Sequence, residues 1–134
     1  MIVVLDTSVL VAFFDGEDAH HTDAHGLLAD VAGEDLVISS MTLAELLVGP
    51  VRQGEDALAS TLDALTTLAI REAQLPEDVA VRLAGLRAST GLKMPDCCVV
   101  LAAETAEADS VATFDERLAR AARQHGFDTM GVSQ

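Results

Sequence analysis

Four acids in this chain stand where a carboxylate can do chemistry. Asp6 directly follows the apolar run Ile2-Val3-Val4-Leu5, and Asp115 lies two residues after the short run that ends at Thr113. Asp96 follows Pro95 in what reads as the first turn of a helix, and Glu45 lies in a short helical stretch after Leu36-Val37-Ile38. If they converge, like charges raise one another's pKa, and the cluster is unstable unless cations neutralise it. Mg²⁺ and Mn²⁺ prefer oxygen ligands and keep several waters. A metal so held lowers the pKa of a bound water and takes up charge on a phosphoryl oxygen, and two metals about 4 Å apart clamp the attacking and leaving oxygens together.

Each acid also has a purely structural reading. Asp6 suits a turn or a helix N-cap. Glu45 follows Thr42 at the T-x-x-E spacing of a capping box. Asp96 complements a helix dipole, and Asp115 caps the last long helix. What separates the two readings is whether the intervening elements bring all four to one edge.

Those elements alternate. Strands are predicted at Ile2 to Leu5, Leu36 to Ile38, weakly at Thr67 to Ile70, at Ser110 to Thr113, and last at Asp128 to Val132. Helices are predicted at Ser8 to Phe14, Ala19 to Val31, Thr42 to Val48 (stopped by Gly49-Pro50), Glu55 to Leu65, Glu77 to Ser89, Pro95 to Glu107 and Glu116 to Gln124. Continuous β-branched strands and alternation with helices specify an α/β fold with a mainly parallel central sheet. In such sheets ligands sit beyond the carboxyl ends of the strands. Asp6 and Asp115 project from that edge directly, and the helices carrying Glu45 and Asp96 start near it if the crossovers are ordinary.

At 134 residues one domain is expected, spanning residues 1–134, with a core that is aliphatic because only four residues are aromatic, all Phe. The 22 acids against 8 bases give a net charge of −14, which argues against gripping nucleic acid by a broad basic surface. It leaves room for acids that hold metal, and it invites a basic partner. Cys97 and Cys98 are adjacent and build no disulfide framework, so a reducing cytoplasm is expected. No stretch has the apolar length of a membrane span.

The four segments together resemble the PIN domains, and among them the VapC-type toxins of bacterial toxin–antitoxin pairs. The resemblance runs through Val3-Val4-Leu5-Asp6-Thr7-Ser8-Val9-Leu10, Ile38-Ser39-Ser40-Met41-Thr42-Leu43-Ala44-Glu45-Leu46-Leu47-Val48-Gly49, Lys93-Met94-Pro95-Asp96-Cys97 and Ser110-Val111-Ala112-Thr113-Phe114-Asp115. It implies a three-layer α/β/α domain and an endoribonuclease dependent on Mg²⁺ or Mn²⁺. It also implies a cognate antitoxin, and it gives Asp6, Glu45, Asp96 and Asp115 the roles of metal ligands. It suggests that Thr7 or Thr113 hydrogen-bonds a ligating carboxylate or a metal-bound water. Many relatives carry a further acid two residues past the fourth, where this chain has Arg117. The implied chemistry is attack of activated water on phosphorus, leaving a 5′-phosphate and a 3′-hydroxyl.

Rival readings fit less well. A phosphatase with an aspartyl nucleophile wants a second acid two residues past the first, and Ser8 holds that place. A phospho-acceptor receiver domain wants a lysine after a late strand, and the one lysine is Lys93, in the loop before Asp96. A PIN-like domain that binds a partner without catalysis is the remaining alternative. His21 and His25 stand four apart, but no further ligand is evident and a solvated polar face is the reading. Cys97 and Cys98 read as small buried residues. Arg117, Arg120 and Arg123 read as one exposed helix face that could guide RNA. Val9 to Phe14 is apolar all round, which predicts core on one side and an antitoxin or dimer contact on the other.

Overall fold

The computed structural model describes residues 1–132. Five strands form one parallel sheet in the order β3-β2-β1-β4-β5: β1 Ile2–Leu5, β2 Asp35–Ile38, β3 Ile70–Glu72, β4 Ser110–Ala112 and β5 Asp128–Met130. Val3, Val4 and Leu5 are wholly buried, as the β-branched run predicts for a central strand covered on both faces. Their alternation assigns them to two cores. Val3, Leu5, Leu36 and Ile38 face one, and Val4, Val37 and Val111 face the other.

The first core is covered by α1 Thr7–Phe14, α2 His21–Asp30, α3 Ser40–Gln53 and α4 Glu55–Thr67. The second is covered by α5 Val79–Thr90, α6 Met94–Thr105 and α7 Glu116–Gln124. The result is the three-layer α/β/α arrangement expected. The strand order reverses at β1: the chain runs outward to β2 and β3, then returns to place β4 on the other side of β1. A crevice opens at such a switch point, beyond the strand ends.

Two predicted elements move by more than two residues. The third helix does not stop at Gly49-Pro50 but continues to Gln53, with Pro50 inside it. Proline forgoes one backbone bond there, and packing against α4 holds the last turn, which ends at Gly54 with φ of 123°. The third strand lies at Ile70–Glu72 and not at Thr67 to Ile70, because α4 runs on to Thr67. β3 pairs in register with β2, Leu36 opposite Ile70 and Ile38 opposite Glu72, so the neighbouring strand sets its position.

The histidine reading is corrected in part, since His20 and His25 are exposed as expected and His21 is drawn inward. His21 is half-buried, with its Nδ1 2.8 Å from the carbonyl of Ala12, and His25 packs against Phe13 with ring centroids 4.3 Å apart. These rings tie α2 to α1, so the face is not simply solvated. Cys97 and Cys98 are buried and free, and burial pushes both thiols up. Among the α7 arginines, Arg117 and Arg120 are exposed, whereas Arg123 is half-buried and its Nε donates to Thr129 at 2.9 Å.

Candidate active site

Asp6 is the first residue beyond β1, and its N–H donates to the carbonyl of Ala112 at 2.9 Å, so the β1–β4 ladder extends to hold its backbone. It stands at the N-cap of α1, yet its side chain makes no cap bond. Its buried carboxylate turns instead toward β4. Oδ2 accepts from Thr113 Oγ1 at 2.8 Å and from Ser8 Oγ at 2.7 Å. Both bonds land on one oxygen, which leaves Oδ1 for another partner.

Two hydroxyls therefore link Asp6 to the turn after β4. The N–H of Asp115 donates to Thr113 Oγ1 at 3.0 Å, and that of Phe114 donates to Ser8 Oγ at 3.1 Å. Each hydroxyl takes a backbone proton on one side and gives its own to Asp6 on the other. Ser8 was not singled out by sequence reasoning as part of the site. Its signal was available in the Asp-x-Ser spacing, which lets a hydroxyl reach back to a carboxylate two residues earlier.

Glu45 lies on the second turn of α3. The N-cap of that helix is Ser39, whose Oγ accepts from the N–H of Thr42 at 2.9 Å. The Thr42–Glu45 capping box is thus replaced by a Ser39 cap, and Glu45 is released from backbone duty. Its Oε1 accepts from Thr7 Oγ1 at 2.8 Å, which ties α3 to the start of α1 beside Asp6. Asp115 keeps its structural role: Oδ1 accepts from the N–H groups of Arg117 and Leu118 at 2.8 and 3.2 Å and caps α7.

Asp96 sits in the first turn of α6, with Pro95 before it and Lys93 at the N-cap. The loop before it is well held. Arg87 donates to the carbonyls of Gly91 and Leu92, and Arg117 donates to Gly91 from α7. Gly91 ends α5 in the left-handed region at φ 71°, where glycine carries no Cβ penalty. The Asp96 carboxyl is pushed up to about 6, first by burial, then by the charges of Asp6 and Asp115, with a smaller push from Glu45; Lys93 pulls it down. The charges of the other three carboxylates therefore all reach the region around Asp96.

That region fits a divalent cation by the chemistry of its donors. They are carboxylate oxygens, the ligand type of Mg²⁺ and Mn²⁺, and their mutual repulsion is what a cation relieves. Among the described residues no three His, Cys, Asp or Glu side chains close into a ready-made cage. Mg²⁺ does not require one, since it is usually held by one or two carboxylates and keeps its remaining waters. Beside the cluster a groove of about 490 Å³ opens, lined by Val11, Phe14, Leu46 and Pro50, with Glu45 and Asp15 on its wall.

Against known families, the PIN domain profile matches residues 3–124. The chain belongs to the PIN domain family. This PIN domain is similar in fold to several solved structures. One is a toxin–antitoxin complex from Klebsiella pneumoniae, at 24% identity and a TM-score of 0.69, covering 84% of this chain and 86% of that one. Another is Mycobacterium tuberculosis VapC20, a sarcin–ricin loop cleaving toxin, at 17% identity and a TM-score of 0.72, covering 98% and 99%. A third is VapBC2 of Rickettsia felis bound to a promoter DNA fragment, at 20% identity and a TM-score of 0.70, covering 97% and 98%. No curated protein sequence matches.

Proposed function

We propose that this PIN domain is a metal-dependent endoribonuclease and the toxin of a toxin–antitoxin pair. The observation that carries the nuclease reading is Asp96: a half-buried carboxyl pushed up first by burial, then by the charges of Asp6 and Asp115 and, less, of Glu45, a set of like charges that a bound cation would relieve. Asp6, Glu45, Asp96 and Asp115 are the residues that would hold Mg²⁺ or Mn²⁺. When bound, the cation supplies Lewis acidity, making water a nucleophile near neutral pH and taking up charge on the phosphate.

The chain's own groups supply the geometry. Thr113 and Ser8 orient Asp6 through Oδ2, Thr7 orients Glu45, and the α7 cap orients Asp115. Lys93, exposed beside Asp96, is placed to meet an RNA phosphate against the net negative field. Hydrolysis by water leaves a 5′-phosphate and a 3′-hydroxyl.

The antitoxin reading rests on the groove beside Glu45 and on the three toxin–antitoxin complexes and toxins that share the fold. Val11 and Phe14 are 38% and 39% exposed on a helix whose Val9, Leu10 and Ala12 are buried. The acidic chain suits a basic partner segment, and an arginine entering beside Glu45 would pair with a carboxylate bidentately. Exposed Val48, Val51 and Leu62 offer further apolar cover for a homodimer or a toxin–antitoxin hetero-oligomer. Among the described residues no helix is long and apolar enough to cross a membrane, and we place the protein in the cytoplasm.

The deciding experiment is cleavage of a structured RNA pool by antitoxin-free protein with Mg²⁺ or Mn²⁺, with chelator, and with Asp96→Asn. Metal-dependent cleavage that the substitution abolishes supports the reading. Cleavage that survives it, or products ending in a 2′,3′-cyclic phosphate, would overturn the mechanism. A protein that binds antitoxin and cuts no RNA points to a partner-binding domain.

A further inference from the structure

Phe114 lies in the chain between Thr113, which holds Asp6, and Asp115, and its backbone N–H donates to Ser8 Oγ, so its backbone belongs to the turn that carries the carboxylate site. It is half-buried, with part of its surface packed against the core that α1 and α2 cover and the rest open. One face is covered by His20, stacked with centroids 4.5 Å apart and planes within 11°. The His20 side chain is itself 52% exposed, so this is an aromatic pair at the surface.

Phe114 also forms part of the wall of an open surface cavity of about 450 Å³, together with Thr22, Asp23, Gly26, Asp30 and Met130. Cavities that take small ligands run from about 300 Å³ upward. The wall has an aromatic ring, an apolar thioether and two carboxylates, of which Asp23 lies 3.6 Å from His20 Nδ1, and it has no lysine or arginine. Such a wall repels phosphate and suits a flat, neutral ring whose edge donates hydrogen bonds.

We infer that this cavity is a nucleobase subsite, in which Phe114, backed by His20, stacks a base of the RNA next to the phosphate at the carboxylate site. This deepens the nuclease reading and rests on it. Aromatic side chains are the usual partners of unstacked RNA bases. Asp23 and Asp30 accept hydrogen bonds and donate none, so they favour bases with an exocyclic amine, guanine, cytosine or adenine, over uracil. The subsite gives an acidic protein a way to bind RNA that does not depend on a basic surface.

Gly26 provides a test that spares the fold. A Cβ added there meets nothing within 4 Å, and the residue is helical, so Gly26→Gln places a neutral side chain in the cavity while improving helix propensity. Gly85→Gln, on an open position of α5, is the matched control. Phe114→Leu removes the stacking face and keeps apolar volume. The measurement is sequencing of cleavage sites in a randomised single-stranded RNA pool with Mn²⁺. In parallel, Asp96→Asn protein is photocrosslinked to the same pool carrying 5-iodocytidine, and adducts are mapped by peptide mass spectrometry.

The expected result is enrichment of amino-bearing bases at one position flanking the cut, with adducts on Phe114 or His20. Gly26→Gln and Phe114→Leu should lower that enrichment and the affinity about 5- to 100-fold, and Gly85→Gln should leave both unchanged. Enrichment unchanged in both variants, no flanking preference in the wild type, or a preference for uracil would each overturn the subsite while leaving the nuclease intact. A wild type that cuts no RNA with either metal would instead remove the nuclease reading beneath it.

Discussion

Thr113 Oγ1 donates to Asp6 Oδ2 at 2.8 Å, joining residues 107 apart in sequence across the β1–β4 pair. The same hydroxyl accepts the N–H of Asp115. One buried side chain thus sets the orientation of the first acid and the backbone of the fourth.

Thr113→Val keeps the shape and removes the hydroxyl. It leaves the part-buried Asp115 N–H without this partner and Asp6 Oδ2 with Ser8 alone, at a cost of about 1–3 kcal/mol. Chemical denaturation should show that loss, and RNA cleavage should fall with it. Ser8→Ala removes the second donor to the same oxygen, so the double variant should deviate from additivity. Strict additivity would mean that the two hydroxyls act independently.

Thr7→Val separates site from stability. The Thr7–Glu45 bond is exposed, so its loss should change stability by less than about 1 kcal/mol. Groups that orient metal ligands are worth about 10- to 100-fold in metal affinity or activity. Mn²⁺ titration and cleavage rates should register that loss while the melting temperature barely moves. A variant with unaltered Mn²⁺ affinity and rate would remove Glu45 orientation from the account.

Asp96 makes stability depend on pH in a defined direction. Its carboxyl is raised from 3.8 to about 6 in the folded chain, so between these values the folded state binds more protons than the unfolded. The contribution of this group to stability is greatest at the acid end, declines as pH rises through that window, and is flat above it. Asp96→Asn removes the penalty. Without metal it should melt above the wild type at neutral pH, with the gap closing toward pH 4. Mn²⁺ should raise the wild-type melting temperature by binding the native state and shift the variant less. Thermal melts with and without chelator check both statements.

Gly131 is a steric test of the turn that carries Phe114 and Asp115. Its φ is 102°, and a Cβ there would lie 2.4 Å from the Thr113 carbonyl oxygen and 3.2 Å from the Phe114 ring. Gly131→Ala should destabilise by at least about 2 kcal/mol and lower cleavage more than stability alone explains, because the displaced atoms belong to the site. A denaturation midpoint equal to the wild type would show that the β5 end yields and the turn does not.

Much of this was legible in the chain. The β-branched runs at Val3 to Leu5 and Leu36 to Ile38 marked central parallel strands, because burial on both faces leaves no polar alternation to confuse with a helix. Gly91 and Gly126 marked helix ends through the left-handed backbone they alone adopt without strain. Asp6, Asp96 and Asp115 were visible because each follows a strand or opens a helix, and Glu45 because of its place in the helix after the second strand. Their types and order suggested a metal-binding reading through the resemblance to PIN domains, and the net charge of −14 argued against a broad basic nucleic-acid surface.

What the tertiary structure decided depended on contacts between distant residues. Whether Glu45 was a capping-box partner turned on Ser39, which caps α3 in place of Thr42 and leaves the carboxylate to Thr7. The position of β3 came from its register with β2, and the passage of α3 through Pro50 from its packing on α4, neither of which local propensity encodes. Ser8 joined the site only because the reversal of strand order at β1 lays β4 beside it. The pairing of His20 with Phe114 was hidden for the same reason: sequence lists side chains by type and distance along the chain, whereas stacking and charge repulsion act through space.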